Sequence, residues 1–264
     1  MILIDTHAHI YYDNYSDRMD DVIQAAADIG VEKIISVGVD LATSEECIKL
    51  SEKYPSVYAA CGYHPHEAAK APRGYLYELE EFYTHTKVVA VGEIGLDFYR
   101  NLSPKEKQHS VFESQLSIAA TLGLPVSIHS RNAVQELKPH LKTFAQKSKL
   151  KIHGILHCFD GSLELALDYF EQGFLISFAG PITYPKNTEL RRIASKLPDE
   201  ALLLETDSPA LPPQGHRGKT NEPSYLTLIA EAVAMARNTS LREIGRITTL
   251  NASQILEQHS SDTE

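Results

Sequence analysis

An excess of positive charge, a paired set of cysteines and a long apolar run are all missing from this chain of 264 residues. Its formal net charge is -10, which argues against a protein that holds nucleic acid over a broad basic surface. An enzyme whose bound cations supply positive charge locally stays open. The three cysteines, Cys47, Cys61 and Cys158, are odd in number and show no Cys-x-x-Cys spacing. Neither a disulfide framework nor a structural zinc cluster is indicated, and reduced thiols in a cytoplasmic protein are the simple account. No apolar run approaches membrane-spanning length. Met1-Ile2-Leu3-Ile4-Asp5 has no basic leader ahead of an apolar stretch, so no signal peptide is expected.

What is present is ordinary globular material, 43% hydrophobic and 23% charged. Short apolar, β-branched runs recur at Ile2–Ile4, Lys33–Val37, Val57–Cys61, Lys87–Val91, Leu124–Ile128, Ile152–Leu156, Phe174–Phe178 and Ala201–Leu204. Such runs suit parallel strands buried on both faces. Stretches with helical spacing lie between them, including Asp21–Gly30, Thr43–Tyr54 and Ser103–Leu122. The last is predicted to start on a capping box, with Ser103 at the cap, Pro104 in the first turn and Glu106 closing the box, and to stop at Gly123. Strand–helix alternation repeated eight times predicts an α/β fold, the TIM (β/α)8 barrel. We expect a single domain over residues 1–258, with a polar tail over 259–264. A doubly wound open sheet is the alternative.

Metal-ligating residue types gather where these strands end. The first run leads into Asp5-Thr6-His7-Ala8-His9, and residues two apart on a strand face the same way. His7 and His9 therefore point at one spot, as half of a metal site would, or else bond to nearby backbone. Gly62-Tyr63-His64-Pro65-His66 follows the third run and Gly92-Glu93-Ile94-Gly95-Leu96-Asp97 the fourth. His129-Ser130-Arg131 closes the fifth, His157-Cys158-Phe159 the sixth, and Glu205-Thr206-Asp207-Ser208-Pro209 the eighth. In a barrel these ends form the active face, and one face gathering so many ligand types is the signal, more than any single residue.

Over Asp5–His9, Gly62–His66, Gly92–Tyr99, Leu124–Arg131, His157–Ser162, Gly180–Tyr184, and Glu205–Pro209 with Arg217–Pro223, the chain resembles the TatD family of metal-dependent deoxyribonucleases, within the wider amidohydrolase-like group of barrel hydrolases. The matching stretches run from the first strand to the last helices. One departure is Asn132, where the family commonly has Asp after His-Ser-Arg; Asn is expected to cap the following helix equally well. The resemblance implies two divalent metal ions. His7 and His9 would bind the first and His129 and His157 the second. Glu93 would bridge the two, and Asp207 would complete the first site and touch the attacking water. It implies catalytic roles for Asp207 and Glu93 and a phosphate contact for His64. It further implies DNA, single-stranded or at a 3′ end, as substrate.

The residues by themselves support parts of this. Four imidazoles and two carboxylates suit Zn²⁺, Mn²⁺ or Fe²⁺ and admit Mg²⁺, so the metal stays open. Arg217 and Lys219 are candidate phosphate contacts, since barrels hold phosphate on loops after the last strands; a solvated loop is the plainer reading. His64 can equally be a turn residue beside Pro65, and His66 is read as structural. Glu205 and Asp97 are either partners that fix a ligand or members of structural ion pairs. Cys158 is read as packing, because strand alternation turns it away from His157. Tyr99, Phe159 and Tyr184 could stack on a base or simply pack. The expected activity is hydrolysis of DNA phosphodiesters from a 3′ end. Hydrolysis of a carboxyl ester or amide such as aminoacyl-tRNA, or an inactive binding protein, are the alternatives. No obligate partner is evident, and a monomer is expected.

Overall fold

The computed structural model describes residues 1–257; the tail predicted over 259–264 lies outside them. In chain order the elements are β1 (Leu3–Ala8), α1 (Met19–Asp28), β2 (Val31–Val37), α2 (Leu41–Lys53), β3 (Val57–Cys61), α3 (Tyr75–Phe82), β4 (Val88–Asp97), α4 (Lys105–Leu122) and β5 (Val126–Arg131). They continue as α5 (Val134–Lys147), β6 (Gly154–Leu156), α6 (Leu163–Glu171), β7 (Phe174–Phe178), α7 (Thr188–Lys196), β8 (Leu202–Leu204), α8 (Leu226–Arg237) and α9 (Leu241–Glu257). The strands lie in one sheet in the order β1 to β8. A doubly wound sheet reverses its order at a switch point, so the sequential order excludes that alternative. Among the described residues, no helix is long and apolar enough to cross a membrane.

The chain divides into two compact units. The first comprises Met1–Ser36, His157–Phe170 and Leu175–Gln254. Here β1 pairs in parallel with β2, Leu3 facing Val31 and Asp5 facing Ile34. β7 pairs in parallel with β8, Ile176 facing Leu202. Every residue of β1 and of β7 is buried, as parallel strands covered on both faces should be. The segment after β8 runs alongside β1: the Asp207 N–H donates to the His7 carbonyl at 2.9 Å, and the His9 N–H to the Ser208 carbonyl at 2.7 Å.

The second unit comprises Val37–Leu156, Glu171–Phe174 and the chain from Ile255. β3, β4, β5 and β6 pair in parallel within it. β4 is ten residues long and wholly buried, well beyond the run Lys87–Val91 that its apolar residues predict. Gly95 is the reason. It sits opposite His129 with φ +146°, and a Cβ there would meet the His129 carbonyl oxygen at 2.0 Å. Glycine alone lets β4 continue beside β5 to Asp97.

Two capping expectations are corrected. α4 begins at Lys105 with no side-chain cap. The Ser103 hydroxyl instead donates to the His66 carbonyl at 2.8 Å and accepts from the Ala69 N–H at 3.0 Å, so it ties down the turn after β3. A capping box does form on α2, where the Asp40 carboxylate accepts from the Thr43 N–H at 2.9 Å. Asn132 does not cap α5. It adopts φ +52°, a conformation asparagine tolerates, and the residue at the cap is Ala133 with no side-chain bond. Gly123 ends α4 in the left-handed conformation, as predicted.

Candidate metal centre

In the first unit the β1 and β8 ends build one group of donors. The buried Asp5 carboxylate accepts from the Thr206 N–H at 2.9 Å, from the Thr206 hydroxyl, and from the His7 N–H at 3.3 Å. These bonds lock the two strand ends in register. Burial pushes the Asp5 carboxyl up to about 7, against the opposing bonds from Thr206 and His7. With the backbone fixed, His7 and His9 present their Nε2 atoms 3.3 Å apart. Asp207 Oδ1 lies 3.5 Å from His9 Nε2 and 4.0 Å from His7 Nε2. The His157 ring stacks on His7, with centroids 4.0 Å apart. Burial would raise Asp207, but the bond to His9 and the nearby His157, His9 and His7 rings overcome it and hold the carboxyl below its ordinary range.

Glu205, just past β8, adds a donor to this group. Its Oε1 accepts from the Cys158 N–H at 2.6 Å and lies 3.3 Å from His157 Nδ1. Its Oε2 is buried without a hydrogen-bond partner. Such an oxygen is costly unless something else satisfies it. His7, His9 and Asp207 form one potential ligand set and His7, His157 and Glu205 another.

In the second unit the β3, β4 and β5 ends build another group. Glu93 Oε1 lies 2.8 Å from His129 Nδ1 and 3.5 Å from His64 Nε2. Asp97 Oδ2 lies 3.2 Å from His129 Nε2 and 2.8 Å from His66 Nε2. Its Oδ1 accepts from the N–H groups of Tyr99 and Arg100. Burial alone would raise Asp97; the bonds from His129, Arg100 and His66 outweigh it and hold the carboxyl well below the usual carboxylate range. Burial pushes His64 down to about 4, partly opposed by Glu93. His64, His66 and His129 form a third potential ligand set.

Two glutamines of α4 hold these strand ends. Gln108 and Gln115 lie two turns apart on one buried face. Gln108 accepts from the Asp97 N–H at 2.8 Å and donates to its carbonyl at 3.1 Å. Gln115 accepts from the Tyr63 N–H at 2.7 Å and donates to the Tyr63 carbonyl at 3.1 Å. One helix face thus fixes the residues beside His64 and the end of the strand that carries Glu93.

The residues fit divalent cations. Imidazole nitrogens converge with carboxylate oxygens, a mixed set that suits Zn²⁺, Mn²⁺ or Fe²⁺, and Glu205 keeps one buried oxygen free of hydrogen bonds.

The predicted site residues are thus distributed as follows. His7, His9, His157 and Asp207 meet in the first unit, and Glu93, His129 and His64 meet in the second. Arg217 and Lys219 are exposed and belong to none of these sets; the Arg217 guanidinium lies 4.8 Å from the Tyr184 ring centroid. Tyr99 is exposed beneath the Arg131 guanidinium, and Phe159 is buried. The predicted set omitted His66 and Glu205 as donors. His64-Pro65-His66 repeats the His-x-His spacing of His7 and His9, and that signal pointed to His66. Asp5, the buried lock of the two strand ends, carried no such signal.

Comparison with known proteins agrees with this chemistry. The family described as TatD related DNase matches residues 4–257. An uncharacterized metal-dependent hydrolase of Bacillus subtilis, YabD, is 38% identical over 96% of this chain and 98% of its own. The protein named 3'-5' ssDNA/RNA exonuclease TatD of Salmonella typhimurium is 31% identical over 97% of this chain and 99% of its own. Among solved structures, the TatD homologue YjjV of Escherichia coli superposes with a TM-score of 0.89 at 34% identity, covering 96% of this chain and 97% of that one. The α/β fold predicted from strand–helix alternation, a TIM barrel, is the fold observed. The chain belongs to the TatD-related DNase family of metal-dependent hydrolases.

Proposed function

We propose that this hydrolase cleaves DNA phosphodiester bonds, removing nucleotides from the 3′ end of single-stranded DNA with the help of two divalent cations. The observation that carries the reading is the buried cluster in which His7 and His9 hold their Nε2 atoms 3.3 Å apart beside Asp207. Its support is membership of the family together with a relative whose name is 3'-5' ssDNA/RNA exonuclease, 31% identical over nearly the whole chain.

In this reading His7, His9 and Asp207 would hold one ion and His129 and His157 the other, with Glu93 as a further carboxylate ligand. Bound cations of this kind acidify a water, orient a phosphodiester and offset charge that builds up in the displacement. The chain's own groups do the rest. Asp207 accepts the proton as water attacks phosphorus and can return it to the leaving 3′ oxygen of the preceding nucleotide as that P–O bond breaks. Glu205 and Asp97 orient His157 and His129 through ring nitrogens, the role carboxylates play behind histidine ligands. His64 donates to a phosphate oxygen, and Arg217 and Lys219 meet the phosphates that follow. Phosphoryl transfer asks mainly for positioning and charge, which a site built of imidazoles and carboxylates supplies without a serine or cysteine nucleophile.

The test is incubation of the metal-loaded protein with single-stranded DNA labelled at its 5′ end, across Mg²⁺, Mn²⁺ and Zn²⁺. A ladder of progressively shortened, labelled products that chelator abolishes is expected. Intact DNA with every ion, alongside turnover of a carboxyl ester, would move the substrate class to carboxyl esters.

A further inference from the structure

A cluster of ligating side chains lies on the helices of the second unit and shares no residue with the groups described above. His109 and Glu113 stand one turn apart on the same face of α4. His140 on α5 meets both. Its Nε2 lies 3.2 Å from His109 Nδ1, and its Nδ1 lies 3.3 Å from Glu113 Oε1. Phe98 packs near His109, and Phe112 meets His140 edge to face, so neither imidazole swings freely. The His140 side chain is 18% exposed and that of Glu113 62%. A groove of about 260 Å³, lined by Glu113, Leu116, His140 and Lys147 among others, opens beside them.

We propose that His109 and His140 form a separate binding site for a nitrogen-preferring divalent ion, Zn²⁺, Ni²⁺ or Cu²⁺, that joins α4 to α5, with Glu113 as the positioning residue. Zn–N bonds of about 2.0–2.1 Å in a tetrahedral arrangement place two ligand nitrogens about 3.3 Å apart, and the observed separation is 3.2 Å. Glu113 accepts the proton on His140 Nδ1, which leaves the Nε2 lone pair facing His109. A carboxylate behind a histidine in this way fixes the tautomer and makes the ring a better ligand. Water reaching the site through the groove completes the coordination. Mg²⁺ and Ca²⁺, which prefer oxygen donors, are excluded by the two imidazoles.

Zinc content and affinity of the full chain decide the question, measured by elemental analysis after equilibration with excess Zn²⁺ and by competition with a chromophoric chelator. The wild type should retain one zinc equivalent more than His109→Gln/His140→Gln. That variant should keep the wild-type circular dichroism and its DNA hydrolysis. Glu113→Gln should keep the equivalent but bind it about 10-fold more weakly. Equal zinc content in the wild type and a folded double variant would overturn the proposal and leave a plain hydrogen-bonded histidine pair. If the double variant fails to fold, Glu113→Gln decides: unchanged affinity for every equivalent would overturn it equally. A loss of DNA hydrolysis in all proteins, with the extra equivalent present only in the wild type, would refute the nuclease reading and leave this one standing.

Discussion

Asp207 carries two duties in the proposed reaction, as ligand and as proton acceptor. It is held beside His7 and His9 by the backbone bond from its own N–H to the His7 carbonyl. Asp207→Asn keeps the shape and removes the charge. Steady-state kinetics on single-stranded DNA should show kcat reduced by about 10²–10⁴-fold, the range that a positioned acid or base contributes; a variant within a few-fold of the wild type would take the proton role from it. Glu205 is a subtler case. Glu205→Gln can still accept from the Cys158 N–H but loses the anionic oxygen that stays buried without a partner. Ion affinity measured by chelator competition should fall about 10–100-fold with little change in the melting temperature. A markedly raised melting temperature with unchanged affinity would make Glu205 a structural burden instead.

At the level of elements, glycine and backbone clamps place the donors more than apolar pattern does. Gly95→Ala would drive a methyl into the His129 carbonyl and force a residue with a Cβ to φ +146°. Denaturant unfolding should show a loss of more than about 1 kcal/mol, with weaker ion binding as His129 shifts; a variant as stable as the wild type would remove this reason for the length of β4. His153 offers a pH signature away from the proposed ligands. Its ring packs near Phe144 and Phe174 with Nδ1 buried and unpartnered, and burial holds it below the ordinary 6.5. The unfolded chain therefore takes up a proton first as the pH falls below 6.5, so stability declines in that window. Urea midpoints followed from neutral to mildly acidic pH should fall more steeply for the wild type than for His153→Gln; parallel curves would contradict the assignment. These elements also mark how far the sequence could be read. Short apolar runs located every strand, because parallel strands bury both faces. The run at Lys87–Val91 stopped short because Gly92–Asp97 mixes glycine and acidic residues whose burial is satisfied by partners from elsewhere, such as His66 and His129. Ser103 read as a helix cap because its reach to His66 and Ala69 is a tertiary contact that no local pattern records.

Across the whole molecule, a net charge of -10 bears on the proposed action on DNA. In that proposal affinity comes from the ions and from Arg217 and Lys219, so DNA binding is expected to be modest and to weaken with salt. The histidines and carboxylates at the strand ends were legible because each follows a short apolar run. Asp5 was harder to read because it acts through Thr206 and the His7 backbone. The proposed chemistry depends on both groups of donors holding ions. Diffraction at the manganese absorption edge from crystals soaked in Mn²⁺ tests that most directly. We predict two anomalous peaks, one within bonding distance of His7, His9 and Asp207, the other of His129 and His157. Full soaking with no peak at these residues, or ions only on the outer surface, would contradict it.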